Sequence, residues 1–375
     1  MTQNRAPGPR LTPLAQSLPA TVPFVGPETQ ERLQGSTFRA RLGANENIFG
    51  PSPKAIEALQ KAASDIWMYG DPENHDLRHA LAAHHGIGAE NIVVGEGIDG
   101  LLGYLVRLTV GPGDTVVTSD GAYPTFNFHV AGYGGDLVKL PYLDDRENLP
   151  ALIAKAGETD AKLIYFANPD NPMASCLTAA EIEAALDAIP DGTLLVLDEA
   201  YVEFAPADAV PNIAIDDPRV IRMRTFSKAY GMAGARVGYA MGHPDTILAF
   251  NKIRNHFGMN RAAQAGALAA LNDQDWLAQT VENVAAARVA ITRIAADNGL
   301  SALPSATNFV AIDCGADAGF AKAVLDGLVA RGFFVRMPFA APGNRCIRLS
   351  CGRPQDLALF ETLLPEALVA ARNAG

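Results

Sequence analysis

Cysteine is scarce in this chain. Four stand among 375 residues, Cys176, Cys314, Cys346 and Cys351, with no CxxC spacing and no histidine cluster beside them. That rules against a disulfide framework or a zinc site, so the thiols are expected to be reduced and packed, and no metal is expected. Positive charge is short as well. Thirty Lys and Arg face 41 Asp and Glu, a net charge of -11, and no basic stripe breaks the excess. Such a surface repels a phosphate backbone, so no nucleic acid partner is expected. No apolar run approaches the roughly 20 residues a membrane helix needs. The opening segment, with Pro7, Pro9, Pro13 and Pro19, has no signal-like apolar core. A cytoplasmic protein without a membrane partner is the expectation.

What is present reads as α/β. Residues 1–45 are Pro-rich and weakly periodic, an arm expected to pack on a smaller domain or on a partner subunit. Residues 46–255 alternate short apolar runs with helical stretches. The runs are Asn91–Val94, Thr115–Thr118, Lys162–Phe166, Leu194–Leu197, Val220–Met223 and Arg236–Tyr239, short enough for strands and bounded by turn residues, as in a largely parallel buried sheet. Thr178 to Glu181 has capping-box spacing before an apolar-periodic segment, which predicts a crossover helix. Residues 256–375 change to a long Ala-rich helical pattern over 275–298. Strands follow around 308–313, 333–336 and 346–350, with helices at 317–331 and at the end, so this part is expected to be a smaller α+β domain.

One motif suggests a dinucleotide. Gly95-Glu96-Gly97-Ile98-Asp99-Gly100 is a GxGxxG between a strand and a helix, with Asp120 ending the next strand. The underlying physics is broader, because free amides and small residues at a helix N-terminus bind phosphate of any origin.

Three strand ends carry the remaining chemistry: Asn168-Pro169-Asp170-Asn171-Pro172, Asp198-Glu199-Ala200-Tyr201, and Thr225-Phe226-Ser227-Lys228 leading to Arg236. Ligands of open α/β sheets bind beyond the carboxyl ends of strands, so these segments are expected to share one crevice. A lysine, a carboxylate and a phosphate cradle together suit pyridoxal phosphate (PLP), whose chemistry needs a primary amine for an imine and an acid beside the pyridine nitrogen. Lys228 is the amine and Asp198 the acid. Asn171 and Tyr201 can hydrogen-bond the cofactor's phenolic oxygen. Ser227, Thr225, Arg236 and the backbone amides of Ile98 and Asp99 can hold its phosphate, and Phe126 is the expected stacking face. Each of these residues also has an ordinary structural explanation, and their company decides between the two.

With these motifs in order, the chain resembles the fold type I PLP-dependent aminotransferases of class I/II, most closely the histidinol-phosphate aminotransferase group. The resemblance runs from Gly43-Ala44-Asn45-Glu46-Asn47 through the segments above to Pro304–Phe309 and Cys346–Ser350. It implies a mostly parallel seven-stranded sheet between helices in a large domain, a smaller α+β domain, and ping-pong transfer of an amino group from an amino acid or histidinol phosphate to a 2-oxo acid. It also implies a homodimer with shared active sites, in which Tyr69 reaches the neighbouring cofactor phosphate. Arg348 is implied as the grip on the substrate α-carboxylate, Arg336 as a second arginine for a substrate phosphate, and Asn308 and Asn47 as pocket residues. Departures from the family pattern are Met173-Ala174 after Asn171-Pro172, Gly70 after Tyr69, and Phe126 where tyrosine is common. They lie near the substrate and bear on specificity. Rival readings are an aromatic or other amino-acid aminotransferase, a threonine-phosphate decarboxylase-like lyase, and, from the glycine motif, a dinucleotide-dependent oxidoreductase.

Overall fold

Short continuous apolar runs build the centre of the molecule. The computed structural model describes residues 8–20 and 25–374; residues 1–7 of the expected arm, with Pro7, residues 21–24 and Gly375 lie outside the described residues. Seven strands form one sheet: β1 (Ile92–Gly95), β2 (Thr115–Ser119), β3 (Asp136–Leu140), β4 (Leu163–Ala167), β5 (Leu194–Asp198), β6 (Val220–Thr225) and β7 (Gly238–Gly242). Their order is β1-β7-β6-β5-β4-β2-β3. Only β7 runs against its neighbours; the other pairs are parallel.

Successive side chains of a strand point to opposite faces, and here both faces are covered. Val116, Tyr165, Val196 and Ile221 pack under helices Gly97–Thr109 and Pro124–Gly132. Val117, Ile164, Phe166, Leu195 and Leu197 pack under helices Leu149–Thr159 and Ala179–Leu186. That double burial makes the runs continuously apolar in sequence. The expected capping box is formed, since Thr178 Oγ1 accepts from Glu181 N and the Thr178 amide donates to the Glu181 carboxylate.

A second core belongs to the C-terminal region. Strands Ser301–Ala302, Phe309–Asp313 and Cys346–Ser350 pair antiparallel. Helices Gln274–Asp297, Ala318–Ala330 and Pro354–Ala374 cover them through Ile291, Val324, Leu328, Phe360 and Leu364. Ala40–Arg41 pairs in parallel with Phe333–Phe334, and Leu42 joins the same cluster, so the end of the arm docks on this smaller unit.

Two sequence expectations shift. Helix Arg261–Leu271, placed in the smaller domain by the expected boundary at 255/256, buries Ala263, Ala267, Ala270 and Leu271 beside Ala55, Leu77 and Tyr239 and so packs with the sheet unit. The run Arg236–Tyr239 becomes a strand only from Gly238, because Arg236 takes a left-handed backbone (φ 55°) and turns the chain.

Candidate active site

The carboxyl ends of the strands open into a cleft of about 890 Å³. Ile98, Asp99, Asn171, Asp198, Tyr201, Thr225, Ser227, Lys228, Arg236, Arg336 and Arg348 all wall it, so strand ends separated by up to 250 residues converge as the α/β reading requires. Strand alternation explains why Asp198 faces the cleft and Glu199 does not. The Glu199 carboxylate turns away and is gripped by Arg222 and Arg224 at 2.6 and 2.8 Å, tying β5 to β6.

Asp198 sits 5% exposed at the floor. Tyr165 Oη donates to its Oδ2 at 2.6 Å and the Ala200 amide to its Oδ1 at 2.9 Å. Burial pushes its pKa up to about 6, against the pull of those two hydrogen bonds. A buried carboxylate lacking a bonded cation is suited to receive one. Lys228 lines the cleft, partly accessible, with Nζ donating to the Asn45 carbonyl at 3.0 Å. Burial, then the Arg348 charge, brings its pKa down to about 8, which raises the fraction of neutral, nucleophilic amine.

At the other end, helix Gly97–Thr109 begins at Glu96 without a side-chain cap, so its first amides are free for an anion. Arg236 Nη1 donates to Ser227 Oγ at 3.2 Å, Thr225 Oγ1 to Ser227 Oγ at 2.9 Å. A Cβ on Gly97 would meet Arg236 Nη2 at 2.6 Å, and one on Gly238 would meet the Ile98 amide nitrogen at 2.6 Å; only glycine allows this approach. Gly238→Ala is therefore expected to push the helix N-terminus off the cradle and weaken PLP binding at least about tenfold, measured by absorbance titration of the apoprotein.

These residues match a known family along most of the chain. The family description "Aminotransferase class I and II" fits residues 40–360. The chain belongs to the class I and II aminotransferases. Relatives of this aminotransferase include histidinol-phosphate aminotransferase 1 of Mesorhizobium japonicum, 36% identical over 88% of this chain and 90% of the relative. The histidinol-phosphate aminotransferase of a Jannaschia species is 36% identical over 91% and 94%. The crystal structure of histidinol-phosphate aminotransferase from Sinorhizobium meliloti in complex with pyridoxal 5'-phosphate is 55% identical, covers 99% of this chain and 100% of that one, and superposes with a TM-score of 0.94.

The cleft of this PLP-dependent aminotransferase fits the cofactor on its own atoms. An acid floor, an amine and an uncapped helix N-terminus with an arginine are the three features PLP needs. The dinucleotide reading is displaced, and Asp120, which it required at the ligand, lies outside the cleft wall.

Three expected residues are placed elsewhere, Phe126, Asn47 and Asn308. Phe126 is fully buried and stacks on Tyr165 at 4.5 Å instead of walling the cleft; Tyr123, one turn before it, takes the cleft position. The Pro124 that starts the helix sets Tyr123 at its N-cap, facing the cleft, and carries Phe126 into the core. Asn47 turns inward, donating to the Ala229 carbonyl and accepting from the Phe49 amide. Asn308 stands behind the wall, donating to the Asn45 and Glu46 carbonyls at 3.2 and 3.3 Å. Tyr69, expected at a neighbour's cofactor, is 76% exposed, tilted against Phe257 and outside its own chain's cleft.

Sequence reasoning missed three residues of this aminotransferase site. Tyr165 orients Asp198, Tyr123 forms a wall, and Asn45 donates from Nδ2 to Tyr201 Oη at 3.1 Å. The lone phenol in the apolar run Leu163–Ala167 was a signal for the first. Asn45 has φ 54° and could have been flagged only by its surroundings.

Proposed function

We propose that this aminotransferase uses histidinol phosphate as amino donor and a 2-oxo acid, with 2-oxoglutarate the expected one, as acceptor. The observation that carries the reading is the pair of arginines opposite the PLP residues. Arg348 donates to Asn171 Oδ1, and its Nε is buried without a protein partner, a donor suited to a substrate carboxylate. Arg336 lies next to it, bridged backbone to backbone, with one guanidinium nitrogen on the Val25 carbonyl at 2.9 Å. Two guanidinium groups in one cleft suit a donor phosphate and, in the second half of a ping-pong cycle, an acceptor dicarboxylate. The relatives named above support the same donor.

When bound, PLP supplies an aldehyde and an electron-withdrawing ring. The chain's residues do the rest. Lys228 would hold the cofactor through its Nζ, and that amine, once free, would take the proton from the substrate α-carbon and pass it on. Asp198 would keep the ring nitrogen protonated, Asn171 and Tyr201 would hydrogen-bond the phenolic oxygen, Tyr123 would supply a stacking face, and Ser227, Thr225, Arg236 and the Ile98 and Asp99 amides would hold the phosphate. Because neutral amine is the reactive form, capture of PLP by the apoprotein is expected to speed up as pH rises through about 8. Stopped-flow absorbance checks this; a rise delayed to the ordinary lysine range contradicts it.

We further propose a sheet unit and a smaller C-terminal unit closing on the cleft, and a homodimer. Ile66, Trp67, Tyr69 and Phe257, all more than half exposed, form an apolar patch of a kind that marks interfaces, and Tyr69 would reach the partner's phosphate from it. An amino-donor panel with 2-oxoglutarate tests the donor. Histidinol phosphate should exceed histidinol and aromatic amino acids in kcat/KM. Arg336→Ala should lower kcat/KM for histidinol phosphate about 10–100-fold while costing unphosphorylated donors little. Equal losses for both classes would contradict the phosphate role.

A further inference from the structure

Beneath the turn that carries Asn171 lie two acids outside the chemistry above. Glu147 is 4% exposed and Asp170 2%. Ser119 Oγ donates to Glu147 Oε2 at 2.6 Å and the Ala167 amide to Oε1 at 3.0 Å. Tyr142 Oη donates to Asp170 Oδ1 and the Met173 amide to Oδ2, both at 2.9 Å. The two carboxyl groups lie within reach of a mutual hydrogen bond. Two carboxylate oxygens cannot hydrogen-bond without a proton between them, and neither acid has a cation bonded to it among the described residues. Two buried negative charges in contact cannot both persist.

The location gives the proton a consequence. Ser119 and Ala167 end β2 and β4, a fixed platform. Asp170 belongs to the turn, whose ends close through its amide on the Ser175 carbonyl at 2.8 Å. The next residue is Asn171, which meets Arg348. We propose that Glu147 and Asp170 are a positioning pair, sharing one proton that fastens the 168–175 turn to the sheet and so sets Asn171 and Arg348 for cofactor and substrate. This rests on the roles given to those two residues under the proposed function.

Burial, the first cause for both acids, raises Glu147 well above the ordinary carboxylate range and Asp170 to about 6. The groups facing the pair are Tyr142 and Tyr165, both raised and neutral, Asp120 near Tyr142, and Arg348, which acts on Asp170 through space. Raised folded-state values mean that stability and turn geometry from the pair hold at low pH and are lost as pH rises and the shared proton leaves.

The test compares full-length holoenzyme carrying Glu147→Gln, a neutral group that can still bond Asp170, with Glu147→Ala, which leaves Asp170 charged and alone. Glu147→Gln should retain kcat/KM within about threefold at neutral pH and remove the alkaline loss expected of the parent. Glu147→Ala should raise KM for the acceptor acid about 10–100-fold, with PLP still attached to Lys228. Infrared spectra of the parent, independent of any variant's folding, should show a protonated-carboxyl stretch at neutral pH that Glu147→Gln removes. A parent without that band, a Gln variant as damaged as the Ala variant, or an unmoved alkaline limb overturns the proposal. A parent that binds no PLP would instead overturn the proposed function and leave the infrared result standing.

Discussion

Lys228→Ala is expected to lower transamination at least about 10⁴-fold, because it removes both the proposed attachment point and the one lysine that lines the cleft among the described residues. Among cleft residues the other cations are arginines, which stay charged near neutral pH. The variant should still bind PLP, since the cradle of Ser227, Arg236 and the free helix amides is untouched. Steady-state rates on the purified variant, with bound PLP quantified after extensive dialysis, check both halves. Retained turnover above a few per cent of the parent would remove Lys228 from its role.

The second large effect belongs to Asp198, where function and stability pull in opposite directions. Removing one member of a buried charge pair costs about 3–5 kcal/mol, so Asp198→Asn is expected to reduce kcat by about 10²–10⁴-fold in the holoenzyme. In the cofactor-free protein the sign reverses. Burial raises Asp198 from 3.8 to about 6, so its contribution to stability is present below about pH 4 and is lost as pH rises through about 6. Above that pH the apo variant should be more stable than the parent by about 1–3 kcal/mol. Denaturant melts of both apoproteins at pH 5 and pH 8 measure this. A variant that is active, or that is destabilised at pH 8, would contradict the assignment.

Much of this was legible because the sheet is buried on both faces. Runs such as Leu194–Leu197 and Val220–Met223 cannot hide as anything but strands or core, and the polar residues ending them read as a site at the strand ends. What escaped has physical reasons. β3, Asp136–Leu140, is an edge strand with no residue fully buried, so its apolar signal is diluted. Phe126 and Tyr123 share one helical start, and which of them faces the cleft depends on where Pro124 sets the first turn. Glu147 sits in Asp144-Asp145-Arg146-Glu147, a charge run that reads as solvated loop, and only the arrival of Ser119 and Ala167 from two strands makes it an interior group. Asn45 and Arg236 adopt left-handed backbones that composition does not announce.

The departure at Met173-Ala174 has a visible effect in the fold. Met173 is 2% exposed and its sulfur packs close to Gly343, where a Cβ would approach to 2.5 Å. Pro338, at the substrate side of the cleft, borders the same glycine. Ala174 holds φ 66°, a conformation glycine adopts at less cost.

Lys228 Nζ is proposed as the one amine that carries the cofactor. Borohydride reduction of the PLP-saturated protein followed by peptide mass spectrometry tests it most directly. A single pyridoxyl adduct on the peptide containing Lys228 is the expected result. An adduct on another lysine, or none at saturation, would contradict it.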